Sequence, residues 1–388
     1  MFSKYASIVV IGIAVAGPAS AATNYQSFVL LPVDGFNHDQ VTGINDSGQI
    51  VGFSYSDSGA IKASLWSEST LRASALQGIS GSVGDLALGI NGSGQIIGRS
   101  DVGPPTGGTE AVVWSASTLP GMALEVAGRV GSSQAFGINA SGQIVGDSTT
   151  NIHDSVAVVW SSTGTSTTLQ DVGGFGFSEA NAINRNGQIV GFSDTATGGT
   201  EAVLWSSSTR TGKALQDVGS PGTSLATGIN NFGQIVGSSG PQAVLWSAST
   251  LTGMPLQNVG DAALSQANGI NNLGQIVGFV QTAPSITTEA VVWSSSTGRG
   301  INLAPFLGSD WTDTEATAIN DSGDIVGFGL FNHVVTGFLL IPRVGAPASA
   351  PEPSTWVLTL LGFGALGLVS YRQTRRLPSA NSRVRQLE

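Results

Sequence analysis

The chain of 388 residues has no cysteine, only three lysines and only three histidines. The absence of cysteine excludes disulfides, thiolate metal sites and cysteine nucleophiles. Charged residues make up 10% of the chain, and between residues 23 and 350 there are 9 basic and 23 acidic residues, a net charge of −14 (9 − 23). Because an acidic body is repelled by phosphate backbones, the composition disfavours nucleic-acid binding.

The abundant residues are those of tight turns and strands. The chain contains 54 glycines and many serines, and 41% of its residues are apolar. Glycine, serine, threonine and β-branched residues are weak helix formers, whereas many short strands joined by turns accommodate all of them. The regular placement of the apolar residues argues against disorder.

One phrase, Ile-Asn-x-x-Gly-(Gln/Asp)-Ile-(Val/Ile)-Gly, occurs seven times, with starts 46, 48, 45, 46, 41 and 49 residues apart. A period of this size indicates supersecondary units that stack on one another to bury their apolar faces. The seven copies are 44–52, 90–98, 138–146, 183–191, 229–237, 270–278 and 319–327.

Each unit is predicted to contain four strands. In the fourth unit, strands are predicted over 179–184 and 188–193, joined by an Asn-x-x-Gly turn, because Asn bonds nearby backbone amides and Gly tolerates a positive φ. A third strand is predicted over 201–205, ending in a tryptophan that recurs in six units, and a short fourth over 215–218.

Four strands in about 46 residues is the size of a propeller blade. The seventh unit is predicted to end at its third strand, 337–341, while 27–33 is predicted to be a strand with no hairpin before it. A ring that takes its missing strand from the N-terminus leaves no open sheet edge. We therefore expect an all-β, seven-bladed β-propeller over residues 23–342; an open solenoid is the alternative.

The hairpin phrase also resembles the HAF repeats of extracellular bacterial proteins, which carry a Gly-Ile-Asn-x-x-Gly-Gln-x-x-Gly hairpin. The resemblance extends over nearly all of residues 28–341. The His-Ala-Phe element of that family is replaced here, for example by Glu201-Ala-Val-Leu204. The resemblance implies the fold and location, and no defined activity.

Residues 1–22 have the features of a secretory signal peptide. Lys4 precedes an apolar run, and Ala19 and Ala21 form a small-x-small cleavage site, so we expect a signal helix cleaved after Ala21 or Ala22.

The C-terminal end has three ordered parts. A linker, 343–353, ends in the triplet Pro351, Glu352 and Pro353, and an uncharged segment over 354–371 is predicted to be a marginal transmembrane helix. A basic tail, 372–388, is expected to stay cytoplasmic. Its first arginines are Arg372, Arg375 and Arg376.

This arrangement resembles the PEP-CTERM sorting signal of Gram-negative bacteria. The resemblance implies export across the inner membrane, processing by an exosortase near the triplet, and final placement at the cell surface or in an extracellular exopolysaccharide or biofilm matrix. A permanent single-pass anchor is the alternative.

Few residues indicate chemistry. His38, His153 and His333 fall at different phases of the repeat, which disfavours a metal site, and no cofactor is predicted. Glu110, Glu201 and Glu289 share one phase and should lie apart around the ring. Their separation disfavours catalysis by paired carboxylates.

Trp311 breaks the repeat pattern beside acidic residues, and we expect it to be exposed in a loop between units and to contact a glycan or a protein partner. We therefore expect an exported matrix or surface protein that is not an enzyme and that acts by binding or display. A glycan-binding, lectin-like propeller and a glycan-active propeller enzyme are the alternatives, since fold alone does not decide function.

Overall fold

The computed structural model describes residues 24–343, except 105–106, 116–119, 128–130, 150–154, 174–175, 220–221, 283–285 and 296. The signal peptide, the linker with its Pro-Glu-Pro triplet, the predicted membrane helix and the basic tail lie outside the described residues. Within the described part, no helix has the length and apolar character needed to cross a membrane.

The described chain is all-β apart from one short helix. The strands of the first four units, preceded by β1, are β1 (Tyr25–Val29), β2 (His38–Ile44), β3 (Gln49–Tyr55), β4 (Ile61–Ser67), β5 (Ser74–Ala75), β6 (Ser82–Ile90), β7 (Ile96–Val102), β8 (Thr109–Trp114), β9 (Met122–Ala123), β10 (Ser133–Ile138), β11 (Ile144–Thr149), β12 (Ser155–Trp160), β13 (Ser166–Thr168), β14 (Ser178–Ile183), β15 (Gln188–Asp194), β16 (Thr200–Ser206) and β17 (Gly212–Ala214).

The remaining three units contain the helix and the last eleven strands. They are β18 (Ser224–Ile229), β19 (Gln234–Ser239), β20 (Gln242–Ser247), β21 (Gly253–Pro255), β22 (Ala262–Ile270), β23 (Gln275–Thr282), β24 (Thr287–Ser294), β25 (Gly300–Asn302), α1 (Ala304–Leu307), β26 (Trp311–Ile319), β27 (Ile325–Phe331) and β28 (Val334–Pro342).

These strands form antiparallel, four-stranded, propeller-like sheets in chain order. Five sheets are separate, and the first two units share an eight-stranded sheet through a single parallel pair, Ile61 and Gly84. Each sheet is open, and the units pack side to side. The predicted all-β class and four-stranded units are thereby confirmed.

The closing glycine of each repeat is required by a bulge in the inner strand. In the fourth unit the pairing of β14 with β15 shifts between Ala180 and Ala182. This shift brings the carbonyl oxygen of Glu179 so close to Gly191 that an added Cβ would lie 1.9 Å from it. Only glycine fits such an approach.

The recurring tryptophan joins each unit to the preceding segment. Trp205 is 1% exposed, and its indole Nε1 donates a hydrogen bond of 2.7 Å to the carbonyl oxygen of Gln170, beyond the previous sheet. Burial of the ring and satisfaction of its N–H at one place explain why tryptophan recurs. The equivalent residues are Trp66, Trp114, Trp160, Trp246 and Trp293, each with the same type of bond.

The N-terminal strand pairs with the last unit, as predicted. Tyr25 to Val29 runs antiparallel to β28, with Tyr25 opposite Pro342, and this strand completes the sheet of β26, β27 and β28. The strand begins two residues earlier than expected. One apolar cluster also combines residues of the first unit, such as Trp66, with Val326 and Leu339 of the last.

The fourth strand of the repeat lies earlier than predicted. In the fourth unit it is Gly212–Ala214 rather than 215–218. Gly212 packs directly against the indole of Trp205, where an added Cβ would lie 2.7 Å from Nε1, so pairing starts as soon as the turn is complete. Leu215 instead points into the core and is 2% exposed.

Candidate functional site

The hairpin turns converge around a circle of buried asparagines. In the fourth unit, Asn184 Oδ1 accepts hydrogen bonds of 3.0 Å from the amides of Asn186 and Gln188, which fixes the turn. Its Nδ2 donates 2.8 Å to Oε1 of Gln188 and 3.0 Å to the carbonyl oxygen of Asn230 in the next unit. All four hydrogen-bonding positions of the amide are satisfied.

The same inter-unit bond is present in every unit, so the seven asparagines form a continuous circuit. The last step runs from Nδ2 of Asn320 to the carbonyl oxygen of Asn45, 3.3 Å away and 275 residues distant in sequence. The other steps, between 2.8 and 3.2 Å, follow chain order: Asn45 to Asn91, Asn91 to Asn139, Asn139 to Asn184, Asn184 to Asn230, Asn230 to Asn271, and Asn271 to Asn320.

These turns line a central cavity of about 570 Å³, which we call the turn cavity. Its walls are the Ile-Asn pair of each repeat and the residue that follows each Asn, called here the variable position. Unlike the isoleucine and asparagine, the variable position differs widely among units. Its residues are Asp46, Gly92, Ala140, Arg185, Asn231, Asn272 and Asp321.

Four hydrogen bonds connect the variable positions on one side of the turn cavity. The amide of Arg185 donates to Oδ1 of Asn231, and that of Asn231 to Oδ1 of Asn272. The amide of Asn272 then donates to Oδ1 of Asp321, and that of Asp321 to Oδ1 of Asp46. The opposite side, with glycine and alanine, has no polar side chain at this position, so the rim is asymmetric.

A second, narrower cavity of about 280 Å³ lies next to the turn cavity and shares its seven isoleucines. The shared residues are Ile44, Ile90, Ile138, Ile183, Ile229, Ile270 and Ile319. The remaining wall of the narrow cavity consists mostly of small residues and hydroxyl or amide side chains. The isoleucines therefore form an apolar boundary between two polar spaces.

A polar cluster on β7, β10, β11 and β14, in the second to fourth units, departs from the repeat pattern. Arg99 donates 2.7 Å from a guanidinium nitrogen to Oε1 of Gln134. Asp147 is 8% exposed; one carboxylate oxygen accepts from the hydroxyl of Ser155, and its Oδ1 is buried without a partner.

Glu179 completes this cluster. Burial and, to a smaller extent, the nearby Asp147 carboxylate raise its pKa to about 7. Burial also raises the pKa of Asp147, against the lowering effects of the Ser155 hydroxyl and the Arg99 charge. A carboxyl group that titrates near neutral pH can both donate and accept a proton, the property required of a general acid or base.

Trp311 does not lie where the sequence placed it. It is the first residue of β26, it is 8% exposed, and its ring packs 5.1 Å from that of Phe331 and 5.6 Å from that of Phe338. The expectation of an exposed loop residue is wrong, because the last unit's long hairpin extends over it. A buried indole offers no free face to a sugar ring.

The other candidate residues stay apart. His38 bonds Oδ1 of Asp57 at 2.8 Å and stacks on Tyr55, His333 occupies a turn at φ 67°, and His153 lies outside the described residues. Among the described residues, no group of three potential metal-ligating side chains is present.

The exposed aromatic that the sequence reasoning missed is Phe232, in the hairpin turn of the fifth unit and 72% exposed. Leu273, its equivalent in the sixth unit, is 54% exposed. Other units have serine or asparagine here. The sequence does show these two apolar residues inside an otherwise polar turn phrase. It does not show which residues surround them in the folded protein.

A family model for the PEP-CTERM protein-sorting motif matches residues 349–376. This motif implies export, exosortase processing and cell-surface sorting in Gram-negative bacteria. No curated protein sequence matches the chain.

The structure is similar to a Pyrococcus horikoshii acylaminoacyl peptidase (10% identity, TM-score 0.51, 79% of this chain and 52% of that chain). It is also similar to an oligogalacturonate lyase from Vibrio parahaemolyticus (9% identity, TM-score 0.50, 83% of this chain and 98% of that chain). A puromycin-hydrolyzing peptidase of Mycobacterium tuberculosis gives 14% identity and a TM-score of 0.46 over 72% of this chain and 48% of that chain. This chain spans about half the length of the two peptidases.

These similarities show the fold alone, and they correct one expectation. The repeat pattern led us to expect a protein that is not an enzyme, but a peptidase and a lyase have a similar fold. That expectation is wrong as drawn, because a repetitive sequence does not reveal which non-repeated side chains meet in space.

Proposed function

We propose that this protein is an exported, seven-bladed propeller that an exosortase delivers to the cell surface or extracellular matrix, where it binds matrix polysaccharide. The blades, of the HAF type, occupy residues 23–342. The segment 354–371 holds the chain in the membrane until processing near Pro351, Glu352 and Pro353, and the signal peptide is lost near Ala19 and Ala21.

The single observation that carries this proposal is the matched sorting motif at 349–376, which follows a self-contained β-unit after a short linker. The amide of Arg343 donates 2.9 Å to the carbonyl oxygen of Asn24. Because β1 already pairs with β28, removal of either terminal signal leaves the edge of β28 covered. These features support processing at both ends of a folded domain.

Mass spectrometry of the mature protein from a Gram-negative host with an exosortase tests the proposal. We expect losses at both ends, near Ala22 and near Pro351. The double variant Pro351→Ala with Pro353→Ala should retain the C-terminal segment and stay in the membrane fraction. Pro347→Ala, in the same linker but outside the matched motif, should be processed normally. An intact chain in the cytoplasm would refute export.

A glycan-active enzyme is the second candidate function, and the cluster of Arg99, Asp147 and Glu179 favours it. The cluster combines a carboxyl group with a pKa of about 7, a second buried carboxyl group and a nearby cation. Glu179→Gln should lower any polysaccharide-cleaving activity about 100-fold or more. Glu315→Gln alters the equivalent inner-strand position of the seventh unit and should leave it nearly unchanged. Equal activity of both variants would remove this candidate.

A further inference from the structure

Two neighbouring hairpin turns each have an exposed apolar residue directly after a rim residue of the turn cavity. Phe232 and Leu273 occupy equivalent positions in neighbouring units, with 72% and 54% of their surfaces exposed. They follow Asn231 and Asn272 at the variable position, where the cavity rim is polar. An exposed phenyl ring next to uncharged amides is a surface suited to a ligand with both apolar faces and hydroxyl groups.

The hydrogen-bonded chain of variable positions leaves specific groups unused. Oδ1 of Asn231 accepts a hydrogen bond from the backbone amide of Arg185. Nδ2 of Asn231 has no hydrogen-bond partner among the described residues. Asp46 uses Oδ1 for the amide of Asp321 and leaves Oδ2 available. The guanidinium of Arg185 forms no ion pair within the described part of the chain. The rim therefore offers donors and an acceptor whose backbones are already fixed.

The size and charge of the turn cavity limit the class of ligand. A volume of about 570 Å³ lies in the range of small-molecule sites. Arg185 stands at one end of the polar arc, and Asp46 and Asp321 stand at the other. A polyanion would meet the two carboxylates and a polycation the guanidinium, whereas a neutral polyhydroxylated ligand can bond with both ends.

We infer that the turn cavity binds a neutral oligosaccharide, with a sugar ring stacked on Phe232 and its hydroxyl groups bonded by Asn231, Arg185 and Asp46. Leu273 extends the apolar surface to a following sugar. This inference deepens the proposed function, since it names the ligand class and the site through which a matrix polysaccharide is bound.

The test is isothermal titration of the full-length mature protein with cellohexaose, laminarihexaose and mannohexaose, and with oligogalacturonate as the anionic probe. We expect at least one neutral probe to bind and the anionic one to bind at least tenfold more weakly. Phe232→Ala should weaken neutral binding about tenfold, whereas Phe232→Tyr should retain it. Phe177→Ala removes another exposed phenyl ring and should leave binding unchanged.

Absence of binding to all three neutral probes, preference for oligogalacturonate, or equal binding by Phe232→Ala and the parent protein would each overturn the inference. Because Phe232 is largely exposed, circular dichroism should show an unchanged fold in every variant. The mass of the mature protein is measured separately, so failure of the sugar site leaves the test of export and sorting intact.

Discussion

The buried asparagine of each hairpin turn has two separable tasks at the scale of single residues. Its side-chain oxygen, Oδ1, fixes the turn within its own unit. Its side-chain nitrogen, Nδ2, donates a hydrogen bond to the next unit. Asn184 is 4% exposed, and every hydrogen-bonding position of its side-chain amide is used. A change at this position therefore leaves buried groups unsatisfied, which is more costly than loss of a surface bond.

Asn184→Ala removes both tasks and should lower the free energy of unfolding by about 3 kcal/mol or more. Asn184→Asp keeps the acceptor that fixes the turn but loses the donor to Asn230. Denaturant unfolding should show that both variants are destabilised. Asn186→Ser, at an exposed turn position, is the control and should keep nearly the stability of the parent protein. A control as unstable as Asn184→Ala would contradict this assignment.

Asp39 is a second residue whose chemistry is set by its neighbours. It is fully buried, its Oδ1 accepts 2.6 Å from the amide of Gly337, and its Oδ2 has no partner. Burial raises its pKa to about 7, although the bond from Gly337 and the charge of His38 lower it. Tyr55 also faces this carboxyl group, while β27 and β28 contribute no titratable side chain.

Because the folded state binds this proton more tightly than the unfolded chain, Asp39 stabilises the fold fully below about pH 4. That contribution, about 2 to 4 kcal/mol, is lost as the pH rises to about 7. Asp39→Ser places at this position the residue found in the third to sixth units. There the serine hydroxyls accept hydrogen bonds from the equivalent backbone amides. It should raise stability at pH 8 and flatten the profile between pH 4 and 8.

Denaturant titrations at pH 4.5, 6 and 8 measure this effect. Asp261→Asn, an exposed carboxyl group between two units, serves as the control and should keep the parent profile. An identical pH dependence in Asp39→Ser and the parent would show that another group is responsible.

At the scale of elements, the N-terminal strand pairs the start of the described chain with its last unit. Its ladder to β28 continues beyond the strand, since the amide of Leu30 donates 2.9 Å to the carbonyl oxygen of Gly337. Tyr25 is 5% exposed and its ring lies 5.3 Å from that of Phe306. Without this strand, β28 would present an open row of backbone groups.

Removal of residues 24–29 should destabilise the protein by about 3 kcal/mol or more and promote self-association through the freed edge of β28. Thermal unfolding and size-exclusion chromatography report the two effects. Gln26→Ala changes an exposed side chain on the same strand and should alter neither. A monomeric, equally stable deletion variant would show that the strand is dispensable.

At the scale of the whole molecule, side-to-side contacts between units replace a single central core. Apolar clusters in the described residues combine neighbouring units, as Val145 of the third with Ile189 and Trp205 of the fourth. The same kind of contact joins the seventh unit to the first, where the hydroxyl of Thr317 donates 3.0 Å to the carbonyl oxygen of Val41. Every unit therefore has two neighbours.

If the units form a closed ring, the position of the chain ends is interchangeable. One circular permutant joins residue 343 to residue 24 through a short Gly-Ser linker and is opened between Gly260 and Asp261. Its free energy of unfolding should lie within about 2 kcal/mol of that of the parent domain. A permutant opened between Asn186 and Gly187 interrupts a turn of the asparagine circuit and should be much less stable. Equal collapse of both permutants would contradict ring closure.

Local sequence patterns specify the repeat and most of its local structure. The hairpin turn, the inner strands and the tryptophan strand could be predicted because their bonds lie within a few residues, as between Asn184 and Gln188. The N-terminal strand was also predictable, since counting strands left one unit short and one strand spare. The sorting motif needed only its ordered composition.

Which side chains meet depends on how the units pack in three dimensions. Asp46 and Asp321 are adjacent at one cavity although 275 residues separate them. Asp147 of the third unit lies near Glu179 of the fourth. Burial of Trp311 and exposure of Phe232 depend on how neighbouring hairpins cover each residue. Such contacts are formed through space between units, so no local pattern encodes them, and they are the contacts from which a binding or catalytic site is built.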